Sequence, residues 1–359
     1  MSTVAEAAVP VAAATAQIKP VKCVVWDLDH TLWDGVLSEG DAIALRPGIP
    51  ELLRALDERG VLLSLCSKNE HDDAMAALER FGLAGYFLYP QISWNAKSEG
   101  IARIQKELNI GMDAILFIDD QPFELDEVAA THPSVRCANA TEYATLMQRP
   151  DVLAAAVTED SARRRLMYFE DMARKRDEAD FSGTPEAFLS TLGMTFGISA
   201  AQPEDLVRAE ELTLRTNQLN STGISYGMDD LEAYMRSPDH QLLVCELSDR
   251  YGPYGKIGLA LIERRPGHDH IKLLLMSCRT MSRGVGSVLL AFLIRQAAAE
   301  NRRLTADFRR TERNRQMLVT YQFSNFKEID RGDNGDYLFE HALAIVPEYP
   351  NYIEMKVEP

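Results

Sequence analysis

The chain has 359 residues, 46% of them apolar, and a formal net charge of −16. That length allows two domains of ordinary size, each burying its own core, and such acidity argues against a general binder of nucleic acid or of anionic membranes. No apolar run approaches the roughly 20 residues of a membrane span, and five irregularly spaced cysteines with no CxxC argue against a disulfide framework or a zinc site, so a reduced, cytoplasmic protein is expected.

Residues 1–20 are rich in Ala and Val but contain Glu6 and Pro10 and lack a basic start, so they read as a disordered tail, not a signal peptide. Val21 to Trp26 is an apolar run that reads as a buried parallel strand. It runs into Asp27-Leu28-Asp29-His30-Thr31-Leu32-Trp33-Asp34-Gly35. Alternate strand residues share a face, so Asp27 and Asp29 lie on one side of the chain. Two acids at one strand end repel and call for a cation or a proton between them, and Mg²⁺ is the natural cation for an oxygen-rich, phosphate-handling site. Solvated acids in an ordinary turn are the plainer alternative.

A turn at Arg46–Pro50 leads into a predicted helix over 51–59, closed by Gly60. Val61 to Leu65 is a second predicted strand, ending in Cys66-Ser67-Lys68-Asn69 before a helix over 71–81. Ser67, at a strand end that leads into a helix, is placed to hold a phosphate oxygen or to cap the helix. Tyr86 to Leu88 is a possible short strand. Lys97 opens the next helix, which runs to about Leu108, and a lysine there is ordinarily a solvated surface residue. Ala114 to Ile118 is the third apolar strand, with Asp119-Asp120 at its end.

Residues 151–185 form a charged, helix-forming connector in which Leu166, Phe169 and Met172 recur at helical spacing, so one face is expected to pack on a domain, with a solvated helix the plainer reading of the basic residues at 163–165 and 174–176. From 186 to 359 the pattern is mixed α/β. A helix over 205–219 precedes strands at 242–247, 257–263 and 270–276, with a turn at 249–255. Then Ser277-Cys278-Arg279-Thr280-Met281-Ser282-Arg283-Gly284-Val285-Gly286 enters an apolar helix. A strand, a glycine-containing loop and a helix can cradle phosphate, or can be a tight turn that binds nothing. Asn217, Asn220, Thr222 and Asn314 could line an acyl site or stop helices.

Acid pair, hydroxyl, lysine and second acid pair each follow a short strand in turn. In that order they resemble the four motifs of the haloacid-dehalogenase (HAD) phosphotransferases, with the first domain spanning 21–150. That resemblance implies that Asp27 attacks phosphorus and that Asp29 protonates the leaving oxygen and then activates water. It further implies that Asp27, Asp29, Asp119 and Asp120, with the Leu28 carbonyl, surround Mg²⁺, and that Ser67 and Lys97 neutralise the phosphoryl group. The gaps between motifs leave no room for a full cap domain, which suits a bulky or protein-bound substrate, or one covered by the second domain. Arg283, Gly284 and Gly286 are similar to the pyrophosphate loop of the GNAT acyltransferases, compressed by one residue, with Arg279 an alternative start.

The segments TLRTNQLNSTG (213–223), DRYGPYGKIGLALIE (249–263), LLLMSCRTMSRGVG (273–286) and RRTERNR (309–315), behind a capless HAD domain, resemble the FkbH-like family over residues 21–345. The fold this implies is α/β: a HAD-like parallel-sheet domain without a large cap, then a GNAT-like α/β domain. The implied activity moves a glyceryl unit from 1,3-bisphosphoglycerate through an enzyme thiol to the phosphopantetheine thiol of an acyl carrier protein, with Mg²⁺-dependent dephosphorylation, in polyketide-type biosynthesis. The alternative is a plain HAD phosphatase of a small phosphorylated metabolite, its second domain only selecting substrate. A thioester needs a cysteine with neighbouring cations. Cys278, with Arg279 beside it and Arg283 nearby, is the first choice and Cys66 the second, while Cys23, Cys137 and Cys245 read as core. Arg302, Arg303, Arg309, Arg310, Arg313 and Arg315 are the expected docking patch for an acidic carrier.

Overall fold

The computed structural model describes residues 19–153, 157–332 and 335–358. The expected tail lies almost wholly outside them. The chain divides near residue 155 into two compact units, with residues 57–60 counted in the second.

In the first unit the elements are β1 (Cys23–Trp26), β2 (Trp33–Asp34), β3 (Ala44–Leu45), α1 (Ile49–Glu58), β4 (Leu62–Ser67), α2 (His71–Arg80), β5 (Gln91–Ile92), α3 (Lys97–Leu108), β6 (Ile115–Asp119), α4 (Pro122–Thr131), β7 (Arg136–Asn139) and α5 (Pro150–Leu153). Five strands form a parallel sheet in the order β5-β4-β1-β6-β7. All of β1 is buried. Strands covered on both faces need no alternation, which is why they read as continuous apolar runs. The register sets Trp26 against Leu65 on one side and Ile118 on the other, so the next residues along each strand share one edge. The insertion after β1 is only the two-stranded β2–β3 hairpin. Of the strand expected at 86–88 only a single parallel bridge forms, Phe87 to Leu63, with Leu88 N donating to Leu63 O at 2.8 Å; residues 84–86 are a 3₁₀ turn, and the longer pairing falls at β5.

The second unit contains α6 (Glu159–Ala162), α7 (Arg164–Asp180), α8 (Pro185–Thr191), β8 (Met194–Ala200), α9 (Leu206–Arg215), α10 (Met228–Arg236), β9 (His240–Asp249), β10 (Gly252–Arg265), β11 (His268–Met276), α11 (Val285–Ala299), β12 (Arg303–Arg309), α12 (Arg315–Phe323), β13 (Phe326–Arg331), β14 (Asp336–His341) and β15 (Ile353–Val357). Its eight strands run β13-β14-β12-β11-β10-β9-β8-β15, antiparallel except for the β11–β12 and β8–β15 pairs. One face packs on α11 and α12, the other on α9 and α10. The turn expected at 249–255 is tighter, because β9 pairs with β10 from Asp249 and Gly252 onward, with irregularities at Pro253/Gly255 and Lys256/Gly258.

The β11–β12 ladder spans only His268–Ile271 against Arg303–Ala306. Beyond it, residues 219–221 take up the strands' polar groups. Met276 N donates to Leu219 O, Ser221 N to Leu274 O and Arg309 N to Ser221 O, each at 2.9 Å. Leu274 N in turn donates to Ser221 Oγ at 3.0 Å.

In the 151–185 stretch Phe169 and Met172 are half-buried, and two of its arginines, Arg164 and Arg174, are buried rather than solvated. Leu166 is exposed, and α7 instead buries Arg164, Met167, Tyr168 and Arg174. Arg174 donates twice to buried Asp249 (2.7 and 2.9 Å) and lies 5.2 and 4.3 Å from the rings of Tyr251 and Tyr254. Such a bidentate, aromatic-stacked arginine can be buried where a lysine could not. Glu211 of α9, also buried, accepts from Arg164, from Arg208 (2.5 Å) and from Arg215 (2.9 Å). Burial would raise its carboxyl, but the three guanidiniums hold it well below the ordinary glutamate range.

Glu211→Gln removes the carboxylate that three arginines share and should destabilise the second unit by about 3–5 kcal/mol at neutral pH, read by denaturant unfolding. Because the folded-state pKa lies below the unfolded one, this stabilisation is complete above the ordinary glutamate pKa and fades as pH falls toward the depressed value. The variant should therefore show a flatter loss of stability below pH about 4.5.

Candidate active site

Four side chains meet at the carboxyl edge of the parallel sheet. Asp27 follows β1, Ser67 ends β4, Lys97 opens α3 and Asp119 ends β6. All four are buried. Lys97 Nζ donates to Asp27 Oδ1, to Cys66 O at 2.8 Å and to Asp119 Oδ2 at 3.0 Å. Lys97, readable as a surface residue, is thus the buried counter-charge of two carboxylates. Burial alone would lower its ammonium pKa; Asp27 and Asp119 reverse that and hold it above the ordinary value. Burial pushes Asp27 upward, against the pull of Lys97 and with the charge of Asp119 adding to it. Burial also raises Asp119 and Asp120.

Carboxylate oxygens of Asp27, Asp119 and Asp120 lie within 4.8 Å of one another. Three carboxylates against one lysine leave an excess of negative charge in a desolvated pocket, which fits an oxygen-ligated divalent cation. Asp119 Oδ1 is steadied by Gln121 N (2.8 Å) and Asp120 Oδ2 by Gln121 Nε2 (2.6 Å).

Two expected ligands do not join this group. Asp29 Oδ1 accepts from Trp33 Nε1 (2.8 Å) and Leu37 N (3.1 Å), and its Oδ2 accepts from Asn69 Nδ2 (2.9 Å). Its carboxylate is oriented by the β2–β3 insertion and the β4 loop, away from a ligand role. The Leu28 carbonyl accepts from Thr31, Leu32 and Trp33 N at 2.9–3.3 Å, so the local turn consumes it. Trp33 and Asn69 went unnoticed in the sequence as functional residues. Asn69, which also donates to Ser67 Oγ at 3.2 Å, could have been suspected from its place two residues beyond Ser67 at the strand end.

In the second unit the expected acyl-site residues are mostly structural. Buried Asn220 Oδ1 accepts from Thr222 N (3.1 Å) and Gly223 N (2.8 Å), and Thr222 Oγ1 accepts from Ile224 N (3.3 Å). Buried Asn314 Nδ2 donates to Asn220 O (3.0 Å) and Arg309 O (2.8 Å). These side chains satisfy the chain's own backbone where the β11–β12 ladder ends. Asn217 is exposed. Gly284, at φ 74°, caps the start of α11, and Gly286 lies in its first turn, so loop and helix fall where expected. Arg283 does not present itself at that loop: it is buried, with Nη1 on Glu178 Oε2 at 3.2 Å.

Cys278 is half-buried and opens a 3₁₀ turn, Cys278–Arg283. Burial pushes up the thiols of Cys23, Cys137 and Cys245, and that of Cys66 to about 12. Cys137 is only half-buried rather than a core residue. Cys66 Sγ also leans on Lys97 O at 3.4 Å, so it is a poor nucleophile. Of the expected docking patch, Arg309 pairs with Asp336, Arg302 with Asp269 and Arg303 with Glu340.

Residues 34–126 match the family model described as haloacid dehalogenase-like hydrolase. This range contains Ser67, Lys97, Asp119 and Asp120 and begins after Asp27 and Asp29. The first unit is a HAD-like hydrolase domain. The human magnesium-dependent phosphatase 1 is 28% identical over 157 residues, 38% of this chain and 89% of that protein. The N-terminal part of a Bacteroides fragilis protein, containing a phosphatase domain and complexed with Mg, is 29% identical over 36% of this chain and 40% of its own, with a TM-score of 0.33. A GNAT-family acetyltransferase from Streptococcus pneumoniae matches 41% of this chain and 98% of its own at 23% identity and a TM-score of 0.32. No helix among the described residues is long and apolar enough to cross a membrane.

Replacing Lys97 with Met leaves Asp27 and Asp119 buried without their cation. Unfolding of the first unit should then cost about 3–5 kcal/mol less, and an added divalent cation should restore more thermal stability to this variant than it adds to the wild type.

Proposed function

We propose that the protein is a Mg²⁺-dependent phosphatase of the HAD type that also transfers a glyceryl unit from 1,3-bisphosphoglycerate, through a Cys278 thioester, to the phosphopantetheine thiol of an acyl carrier protein. The observation that carries the phosphatase half is the buried Lys97 ion pair with Asp27 and Asp119, beside Asp120. The human relative's description as magnesium-dependent supports Mg²⁺ as the cation. Bound among Asp27, Asp119 and Asp120, Mg²⁺ would offset charge on the phosphoryl oxygens.

In this mechanism an Asp27 carboxylate oxygen attacks phosphorus, and the bond from phosphorus to the substrate oxygen breaks. Asp29, held by Trp33, Leu37 N and Asn69, gives that oxygen a proton. Asp29 then takes a proton from water, whose oxygen attacks the aspartyl-phosphate and releases phosphate and Asp27. Lys97 and Ser67 lie where charge on the transferring group develops.

The transfer half rests on the second-domain sequence motifs and on the thiols. Cys278 is half-buried, whereas Cys66 is held in the core by burial and a backbone contact. The Cys278 thiolate attacks the acyl carbon, the bond from that carbon to the phosphate oxygen breaks, and phosphate leaves with the electron pair. The carrier thiol then takes the acyl group, regenerating Cys278.

Asp27→Asn should lower phosphatase turnover by more than about 10³-fold, as expected when a nucleophile acting in concert with its partners is removed. Intact-protein mass spectrometry with Mg²⁺, 1,3-bisphosphoglycerate and a holo carrier should show a glyceryl adduct on enzyme and carrier, absent in Cys278→Ala. Phosphate release with neither protein gaining mass would leave the plain phosphatase.

A further inference from the structure

A cavity of about 740 Å³ lies beside the last two turns of α11, at the opposite end of that helix from Gly286. Its floor is one face of three neighbouring strands. Ala200 of β8 pairs with Leu243 of β9, and Val357 of β15 pairs with Ile198 of β8, so these side chains and that of Gln241 stand on the α11 side of the sheet. Its roof is a stripe of α11: Phe292, Arg295, Gln296 and Ala299 follow at intervals of three and four residues. Its third wall is the segment after β14, with Val346 and Tyr349. That segment is held to the helix by Arg295, whose Nη1 donates to Pro347 O at 3.1 Å and whose guanidinium carbon lies 5.1 Å from the centre of the Tyr349 ring. The small side chains of Ala200 and Ala299 leave the gap between helix and sheet edge unfilled.

A cavity of this size with mainly apolar walls and a few polar groups is the usual form of a small-molecule site. Val346 and Val357 are exposed at its edge, and so is Ile345 next to them. An apolar ligand that covers such side chains removes their surface from water. The polar groups define the rest of the ligand. Gln241 Oε1 is buried and accepts no hydrogen bond among the described residues, so it calls for an N–H or O–H donor. Arg295 has no carboxylate within ion-pair distance among the described residues; its partners are Pro347 O and Tyr349, which leave guanidinium N–H groups for an anionic acceptor. Glu358 also lines the cavity, and its carboxylate disfavours a second negative charge on the ligand.

We propose that this cavity binds an apolar monocarboxylate that carries one amide or hydroxyl donor, of which an N-acylated small amino acid is the simplest example. The acyl chain lies along Phe292, Val346 and Val357, the carboxylate meets Arg295, and the donor meets Gln241 Oε1. The site depends neither on the carboxylate pocket at Asp27 nor on Cys278.

Isothermal titration calorimetry of the full-length protein with N-octanoylglycine tests it, and one molecule should bind per chain. N-octanoylglycinamide, which lacks the carboxylate, should bind about tenfold more weakly, the loss expected for one charge-assisted hydrogen bond. N-octanoylsarcosine, which keeps the carboxylate but has a methyl group in place of the amide hydrogen, should bind about fivefold more weakly. Arg295→Gln should erase the first difference. Gln241→Leu should erase the second without lowering the melting temperature, because it removes a buried acceptor that has no donor. Absence of N-octanoylglycine binding, or of either difference, in the wild type would overturn the site without any variant having to fold. So would either difference persisting in its folded variant.

Discussion

The first unit depends on one buried interaction, the ammonium of Lys97 shared between Asp27 and Asp119. Two carboxylates that close would repel strongly in a desolvated pocket, and burial pushes both toward their neutral forms. Lys97 offsets part of that for both carboxylates beside Asp120. The parallel register makes the contact possible, because β1 and β6 end level and set Asp27 beside Asp119. The third bond of Lys97, to Cys66 O, ties the same ammonium to the neighbouring strand β4.

Around that centre the hydrogen bonding divides the two motif acids by role. Asp27 belongs to the cation pocket. Asp29, two residues later, is turned away and held by an indole, a backbone amide and an asparagine amide. Donors at both oxygens fix the orientation of this carboxylate and favour its ionised form. The small β2–β3 insertion supplies Trp33, whose indole N–H holds that carboxylate.

The second unit uses the same currency in a different arrangement. Glu211 gathers three arginines, Asp249 takes Arg174 between two tyrosine rings, and residues 219–221 close the place where the β11–β12 ladder stops. Polar residues that suggest a binding site in sequence are there bonding backbone: Asn220, Thr222 and Asn314 satisfy donors and acceptors that would otherwise be buried unpaired.

Much of the first unit was legible in the sequence by itself. Strands buried on both faces advertise themselves as continuous apolar runs, and acids or hydroxyls that end such runs fall at the sheet's carboxyl edge; Asp27, Ser67, Asp119 and Asp120 were legible that way, and Lys97 only through the family resemblance. Only the tertiary structure decided which charges meet. It turned Lys97 from a surface-like helix opener into a buried counter-ion, tied Asp29 to Trp33, Leu37 N and Asn69, set Arg283 against Glu178, and paired Arg302, Arg303 and Arg309 with carboxylates. The reason is physical: apolar periodicity is a local property of the chain, whereas the partner of a charge is set by which distant strands and helices the packing brings within about 4 Å.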